Sequence, residues 1–155
     1  MRLQRLNLTR YGIFTDHVID FGSREAGQPD FHIIYGLNEA GKSTTFAAYL
    51  DLLFGIETRS QYNFLHPYTT MQVGAVLEIA DQAHDLVRIK KQHNDLLDAS
   101  AQPLDQGFLA AALSGLDRDA YKTMLSLDDD TLEAGGESIL ASKGDIGQLL
   151  FSAST

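Results

Sequence analysis

The run Phe31 to Thr44, FHIIYGLNEAGKST, constrains the fold of this chain more than any other stretch. Phe31-His32-Ile33-Ile34-Tyr35 is mostly apolar and predicts a short buried strand. Gly36-Leu37-Asn38-Glu39-Ala40-Gly41-Lys42-Ser43 then fits G-x-x-x-x-G-K-[ST], the phosphate-binding loop. Phe46, Ala47, Tyr49, Leu50, Leu53 and Phe54 recur at three and four, which predicts a helix over 44–54 with Gly55 as its stop. Strand, glycine loop and helix in this order give the pattern a mechanism. Gly36 and Gly41 permit backbone turns that a Cβ would block, and the loop amides and the helix N-terminus then face an anion. Lys42 can reach the β- and γ-phosphates, and the Ser43 hydroxyl can ligate the Mg²⁺ that bridges them. The four fixed positions recur by chance in well under ~1% of chains of this length.

A chain of 155 residues suffices for one domain with a real core. It contains no Cys, so disulfides and Cys-based metal sites are excluded, and its His residues form no H-E-x-x-H or close pair. No run of 18 apolar residues occurs, and MRLQRLNLTR lacks a signal-peptide core, so the expected compartment is the cytoplasm and no membrane contact is expected. Net charge is −9, with residues 61–155 carrying six Lys/Arg against fourteen Asp/Glu. Such a surface repels nucleic-acid phosphates over most of its area. Arg88-Ile89-Lys90-Lys91 is the one basic cluster, and it reads as the solvated face and end of a strand.

Alternation over Arg2 to Thr9 predicts a half-buried strand with a register irregularity near Arg5-Leu6. A turn at Tyr11 to Phe14 leads to a second strand, His17 to Phe21, paired with the first. Residues 22–29 read as a loop by composition. Glu57 to Thr70 is a long polar and aromatic loop of the kind that carries function. Met71 to Ala80, with Val73, Ala75, Leu77 and Ile79 on one face, and His84 to Lys91 predict a hairpin turning at 81–83. Leu96 to Ala99 is a further short strand. The rest reads as helices: 106–113 capped by Asp105, 118–125 capped by Asp117, 131–140 after Asp128 to Asp130, and 144–153.

Hydrolysis of a nucleotide needs a second, Walker B strand that ends in Asp to hold Mg²⁺ and activate water. Ala75 to Asp81 ends in Asp, but its alternation fits a strand buried on one face rather than a buried parallel one. Leu125 to Asp130 ends in an acidic cluster that reads as a helix N-terminus. Leu113-Ser114-Gly115-Leu116 superficially resembles an LSGG signature yet reads as a helix C-cap. No N-K-x-D segment reads guanine. The residues thus show how a triphosphate is held and not how it is hydrolysed.

The opening LQRLNLTRYGIFTDHVIDFG and DFHIIYGLNEAGKSTT resemble the N-terminal half of ABC-type ATPase heads of the SMC/RecF/SbcC group. The likeness is closest to the YhaN-like branch, whose loop reads G-x-N-E-A-G-K-S-T. LLFGIETRSQYNFLHPY and LDDDTLEAGGESILASKGDIGQLLFSAS also look like that branch. The resemblance implies an α/β fold of the P-loop NTPase class: an antiparallel sheet, the loop strand and its helix, and a helical C-terminal part. It implies that residues 1–155 are a single domain, the N-terminal lobe of a split head. The coiled coil and the C-terminal lobe with its signature and Walker B would lie beyond it.

By the same resemblance Gly36, Asn38, Gly41, Lys42, Ser43 and Thr44 match the family's loop, and Glu39-Ala40 replaces the Gly-x of the wider group. ATP and Mg²⁺ are the implied ligands, with Ser43 on the metal. Gly12 follows Tyr11 where the wider group has a nucleotide-touching residue, which leaves Arg10 for that role. Arg59 stands where such heads carry an arginine that approaches the γ-phosphate; a solvated loop arginine is the alternative. The family's metal- and water-contacting Gln is missing near 126–130, where only Asp128 or Asp129 could substitute. The implied partners are the missing lobe, a second head, DNA and a nuclease, in a repair or chromosome-maintenance ATPase. A fragment of this kind exposes the strand at 31–35 and self-associates or is marginally stable. Two other readings remain from the residues: a self-sufficient small P-loop kinase, or an interaction module with a vestigial nucleotide loop.

Overall fold

The computed structural model describes residues 1–25, 27–105, 107–126, 132–133 and 135–137. The expected helices at 131–140 and 144–153, and Asp128 to Asp130, lie largely or wholly outside them. Residues 1–115 and 116–155 are two compact units.

The first unit is built on a five-stranded antiparallel sheet. Its strands are β1 (Arg2–Tyr11), β2 (Phe14–Asp20), β3 (Gln72–Ile79), β4 (Gln82–Ile89) and β5 (Leu96–Asp98). The spatial order is β2-β1-β3-β4-β5. Register carries the apolar side chains to one face. Leu6 opposes Ala75, which opposes Leu86, and one row away Val73 opposes Arg88, which opposes Leu96. The expected irregularity in β1 is present as a register shift between Leu3 and Arg5, with a second between Asn7 and Arg10. The β3–β4 turn is tighter than expected: Ala80 and Asp81 take φ of 50° and 62°, and Ile79 pairs directly with Gln82. That geometry matches the right-handed strand twist, so the hairpin closes in two residues without the usual Asn-Gly signal.

Helix α1 (Lys42–Phe54) lies against β1, β3 and β4. It begins two residues before the expected start, and its buried positions are Thr45, Ala48, Leu50, Asp51, Leu52 and Leu53. Phe46, Ala47 and Tyr49, read from spacing as the core stripe, are only half-buried. The helix is apolar on most of its circumference, so periodicity alone did not single out the contact face. The buried Asp51 carboxylate accepts the Tyr11 hydroxyl at 2.6 Å.

At the C-terminal end of α1 the structure corrects the reading of the basic cluster. Arg88 is 1% exposed. Its Nε donates to Leu52 O (3.0 Å), its Nη2 to Leu53 O (3.1 Å) and its Nη1 to Asp95 Oδ2 (3.1 Å). Lys90 Nζ donates to Ile56 O at 2.9 Å, one strand end further on. The last carbonyls of a helix lack intrahelical donors and sit at its negative dipole end, so Arg88 completes the helix while Lys90 holds the chain just past its cap.

The second correction concerns 31–35. These residues pair with no strand of the sheet. Phe31 is 78% exposed and Tyr35 90%. A strand needs a partner for its backbone groups, and the five strands present are joined to one another without it. The segment is tied at its entry instead: Asp30 accepts Arg2 Nε at 2.7 Å and Arg2 Nη2 at 3.1 Å.

Helix α2 (Gly107–Ala112) starts where Asp105 Oδ1 accepts the Gly107 amide (2.6 Å). It ends in Ser114 and Gly115 with positive φ, so the Leu113 to Leu116 run is a helix stop. In the second unit, Asp117 caps α3 (Arg118–Leu125) by accepting the Ala120 amide at 2.8 Å. No helix among the described residues is long and apolar enough to cross a membrane.

Replacing Arg88 by Met removes the guanidinium from two helix carbonyls and from the Asp95 carboxylate. It is expected to cost about 3 kcal/mol in urea unfolding at unchanged m. A loss under about 0.5 kcal/mol would show the clamp to be dispensable.

Candidate functional site

The N-terminal end of α1 and the turn between β1 and β2 enclose an open cleft of about 470 Å³. Asn38, Glu39, Gly41, Lys42, Ser43 and Thr44 line it, together with Ile13 and Phe64. Six of the loop positions singled out from the sequence therefore meet in one place. Gly36 and Ala40 shape the loop behind them: the Ala40 amide donates to Leu37 O (3.2 Å), and a Cβ on Gly36 would lie 3.0 Å from that of Ala40.

Two glycines make this geometry possible. Gly41 has φ of 95°, and a Cβ there would come within 2.5 Å of the Phe14 ring. Gly12 has φ of 58°, and a Cβ there would fall 2.3 Å from Thr44 Cγ2. The β1–β2 turn thus rests directly on the start of the helix, and only glycine at both positions allows the approach. Gly12, which the resemblance marked as a departure, is what seats the turn. Glu39 also takes a left-handed φ, 67°.

Lys42 is the first residue of α1. Its ammonium donates to Gly36 O (2.8 Å) and Leu37 O (2.9 Å), across the loop it follows. An anion in the cleft would exchange for those carbonyls. Ser43 is exposed beside it. One cation, one free hydroxyl and the unpaired first amides of α1 form a donor set suited to phosphate. A metal ion held there would take one oxygen from Ser43 and the rest from phosphate and water, which fits Mg²⁺.

The two arginines named from the sequence are elsewhere. Arg10 donates Nε to Thr70 O and Nη2 to Gln72 Oε1, both at 2.6 Å, and does not line the cleft. It faces β3 because the second register shift of β1 places it opposite Gln72. Arg59 is exposed in the turn after α1 and is likewise outside the cleft lining. Asp81 sits in the β3–β4 turn. Asp128 and Asp129 lie outside the described residues. Among the described residues no three His, Asp or Glu side chains group as metal ligands.

Ile13 and Phe64 escaped the sequence reading. Ile13 read only as part of the turn at Tyr11 to Phe14, and the only signal for Phe64 was the aromatic character of the 57–70 loop. That loop is pinned to the β1–β2 hairpin: Tyr62 O accepts the Gly12 amide (2.9 Å), the Tyr62 ring stacks on Tyr11 (5.4 Å, 25°), and His66 Nε2 donates to Phe14 O (2.8 Å).

The electrostatics at the loop's entry are set by Arg2. Its guanidinium, hydrogen-bonded to Asp30, holds that carboxyl below the usual carboxylate range, and His32 at 2.9 Å adds to the effect. The contact therefore stabilises the fold above the unfolded value of about 3.9 and is lost as pH falls through the lower folded value. An NMR titration of the Asp30 carboxyl is expected to show a midpoint below about 3.9 that rises in Arg2→Gln. An unshifted wild-type midpoint would contradict the pairing.

A family model described as an AAA domain matches residues 1–155. The chain is also 29% identical over 133 residues to a protein of Bacillus subtilis (strain 168) named "Uncharacterized protein YhaN". That match covers 83% of this chain and 13% of the relative.

Proposed function

The chain belongs to the AAA domain family, a class of nucleotide-binding ATPase domain, and from that premise we propose that residues 36–44 bind the triphosphate of ATP with Mg²⁺. The observation that carries the reading is the cleft itself, in which Lys42, Ser43 and the first amides of α1 converge beside a glycine-seated turn. Lys42 takes phosphate charge, Ser43 ligates the metal, and Asn38 to Gly41 wrap the phosphates with backbone amides. Magnesium, when bound, neutralises the phosphate oxygens and fixes their geometry.

Residues 1–155 act as the ATP-binding N-terminal lobe of a split head of the SMC/RecF/SbcC type. Two observations support this. The apolar residues Phe31, Ile33 and Tyr35, which lead into the loop, are exposed and without a ladder partner, as expected of a strand completed by another lobe. The curated relative is several times longer than the matched region. In that setting the full-length protein works in the cytoplasm. Two heads close on two ATP molecules, and hydrolysis drives engagement and release on DNA alongside a nuclease. Arg59, on its exposed turn, is free to approach the γ-phosphate of a completed site, and Arg10 serves the sheet rather than the nucleotide.

Calorimetry tests the reading. The 155-residue chain is expected to bind MgATP and to lose that binding in Lys42→Ala, while turning over ATP no faster than buffer. Absence of binding in the wild type would overturn the nucleotide assignment. Robust turnover abolished by Lys42→Ala would instead overturn the split site and favour a self-sufficient phosphotransferase.

A further inference from the structure

We propose that Phe64, with Ile13 lining the same cleft, is the wall on which the base of a bound nucleotide stacks, so that the site takes nucleoside triphosphates by the ring face and discriminates weakly between adenine and guanine. The inference rests on the nucleotide reading above and adds a second contact region to it.

The cleft lining is of two chemical kinds set side by side, with Ile13 Cδ1 only 2.9 Å from where a Cβ on Gly41 would be. Lys42, Ser43 and the loop amides present charge and N–H donors. Ile13 and Phe64 present only carbon, and they are 45% and 61% exposed. A ligand matched to both kinds of lining is an anion chain joined to a flat group with an apolar face. The volume of about 470 Å³ lies in the range of small-molecule sites.

The exposure of Phe64 is not that of a loose loop tip. Tyr62, two residues before it, is fixed by its stack on Tyr11 and by the Gly12 amide. His66, two residues after it, is fixed on Phe14 O and lies 3.0 Å from Thr15 Oγ1. Both anchors grip the hairpin that carries Ile13, on either side of its turn. Gly12 in turn contacts Thr44 of the helix, and the Phe64 ring lies 3.5 Å from where a Gly12 Cβ would be. Phe64, Ile13 and the start of α1 are therefore one preorganised unit. An aromatic held rigid on both sides and left open to solvent contributes little to the core; its open face is available to a ligand ring.

Neither side chain carries a hydrogen-bonding atom, so neither can read the edge that separates adenine from guanine. Every base has a π-face, and stacking of this kind tolerates base identity.

The test is calorimetry on the intact chain with MgATP, MgGTP and magnesium tripolyphosphate, for wild type, Phe64→Ala and Phe64→Tyr. Phe64→Ala is expected to weaken both nucleotides about tenfold and leave tripolyphosphate unchanged, and Phe64→Tyr to restore nucleotide binding. Circular dichroism should be unaltered, since the ring is mostly exposed. Unchanged nucleotide affinity in Phe64→Ala would overturn this inference alone. So would equal weakening of tripolyphosphate, or a wild-type preference for one purine of more than about a hundredfold. Wild-type chain that binds neither nucleotide nor tripolyphosphate would overturn the nucleotide reading, and this one with it.

Discussion

The carbonyls of Leu52 and Leu53, at the end of α1, find their donors in the guanidinium of Arg88, which reaches them from the core-facing side of β4. A buried guanidinium without partners would be strongly destabilising, so the arginine, Asp95 and the helix end are held together or not at all. The interaction fixes where α1 stops and how it lies on the sheet. Lys90 extends the clamp to Ile56, with its ammonium 4.9 Å from the centre of the Tyr68 ring. The long loop after the helix is thereby bound to the same strand end.

From that clamp the site follows at the opposite end of the helix. Tyr11 and Asp51 join β1 to the last turn of α1, and Gly12 lets the next turn of chain touch Thr44. The helix N-terminus is presented beside a hairpin that supplies one wall, with Lys42 poised over the loop carbonyls. The loop itself is held at its other side mainly through Arg2 and Asp30, because the segment 31–35 takes part in no ladder. The cleft is thus rigid where the helix and hairpin form it and open where residues 31–40 approach it.

Much of this was legible in the residues. Alternation placed β1, β3 and β4, short strands were expected where β2 and β5 lie, and the β1–β2 and β3–β4 pairings were foreseen though the β1–β3 pairing was not. Asp105 and Asp117 marked helix starts, and the glycine–lysine–serine spacing marked the cleft. What escaped did so for physical reasons. Charge at Arg88 argued for solvent, while parity with Leu86 argued for the core; parity won because two helix carbonyls compensate the charge. Apolar content at Phe31 to Tyr35 argued for a buried strand, yet a strand requires a neighbour and the sheet gives it none. Phe64 and Ile13 reach the cleft through long-range contacts of a hairpin and a loop, for which the local sequence has no periodic signal. Arg10 is turned toward Thr70 and Gln72 by a register shift that spacing alone does not reveal.

The central claim is that one end of a clamped helix, with the loop before it, receives phosphate. Backbone amide NMR of the labelled chain tests it most directly, by titration with MgATP. The account predicts that the largest shifts fall on the amides of Asn38 to Thr44, with smaller ones at Ile13 and Phe64 and little change at Leu52, Leu53 or Arg88. Shifts centred on the outer strands β2 and β5, with the loop amides unmoved, would contradict it.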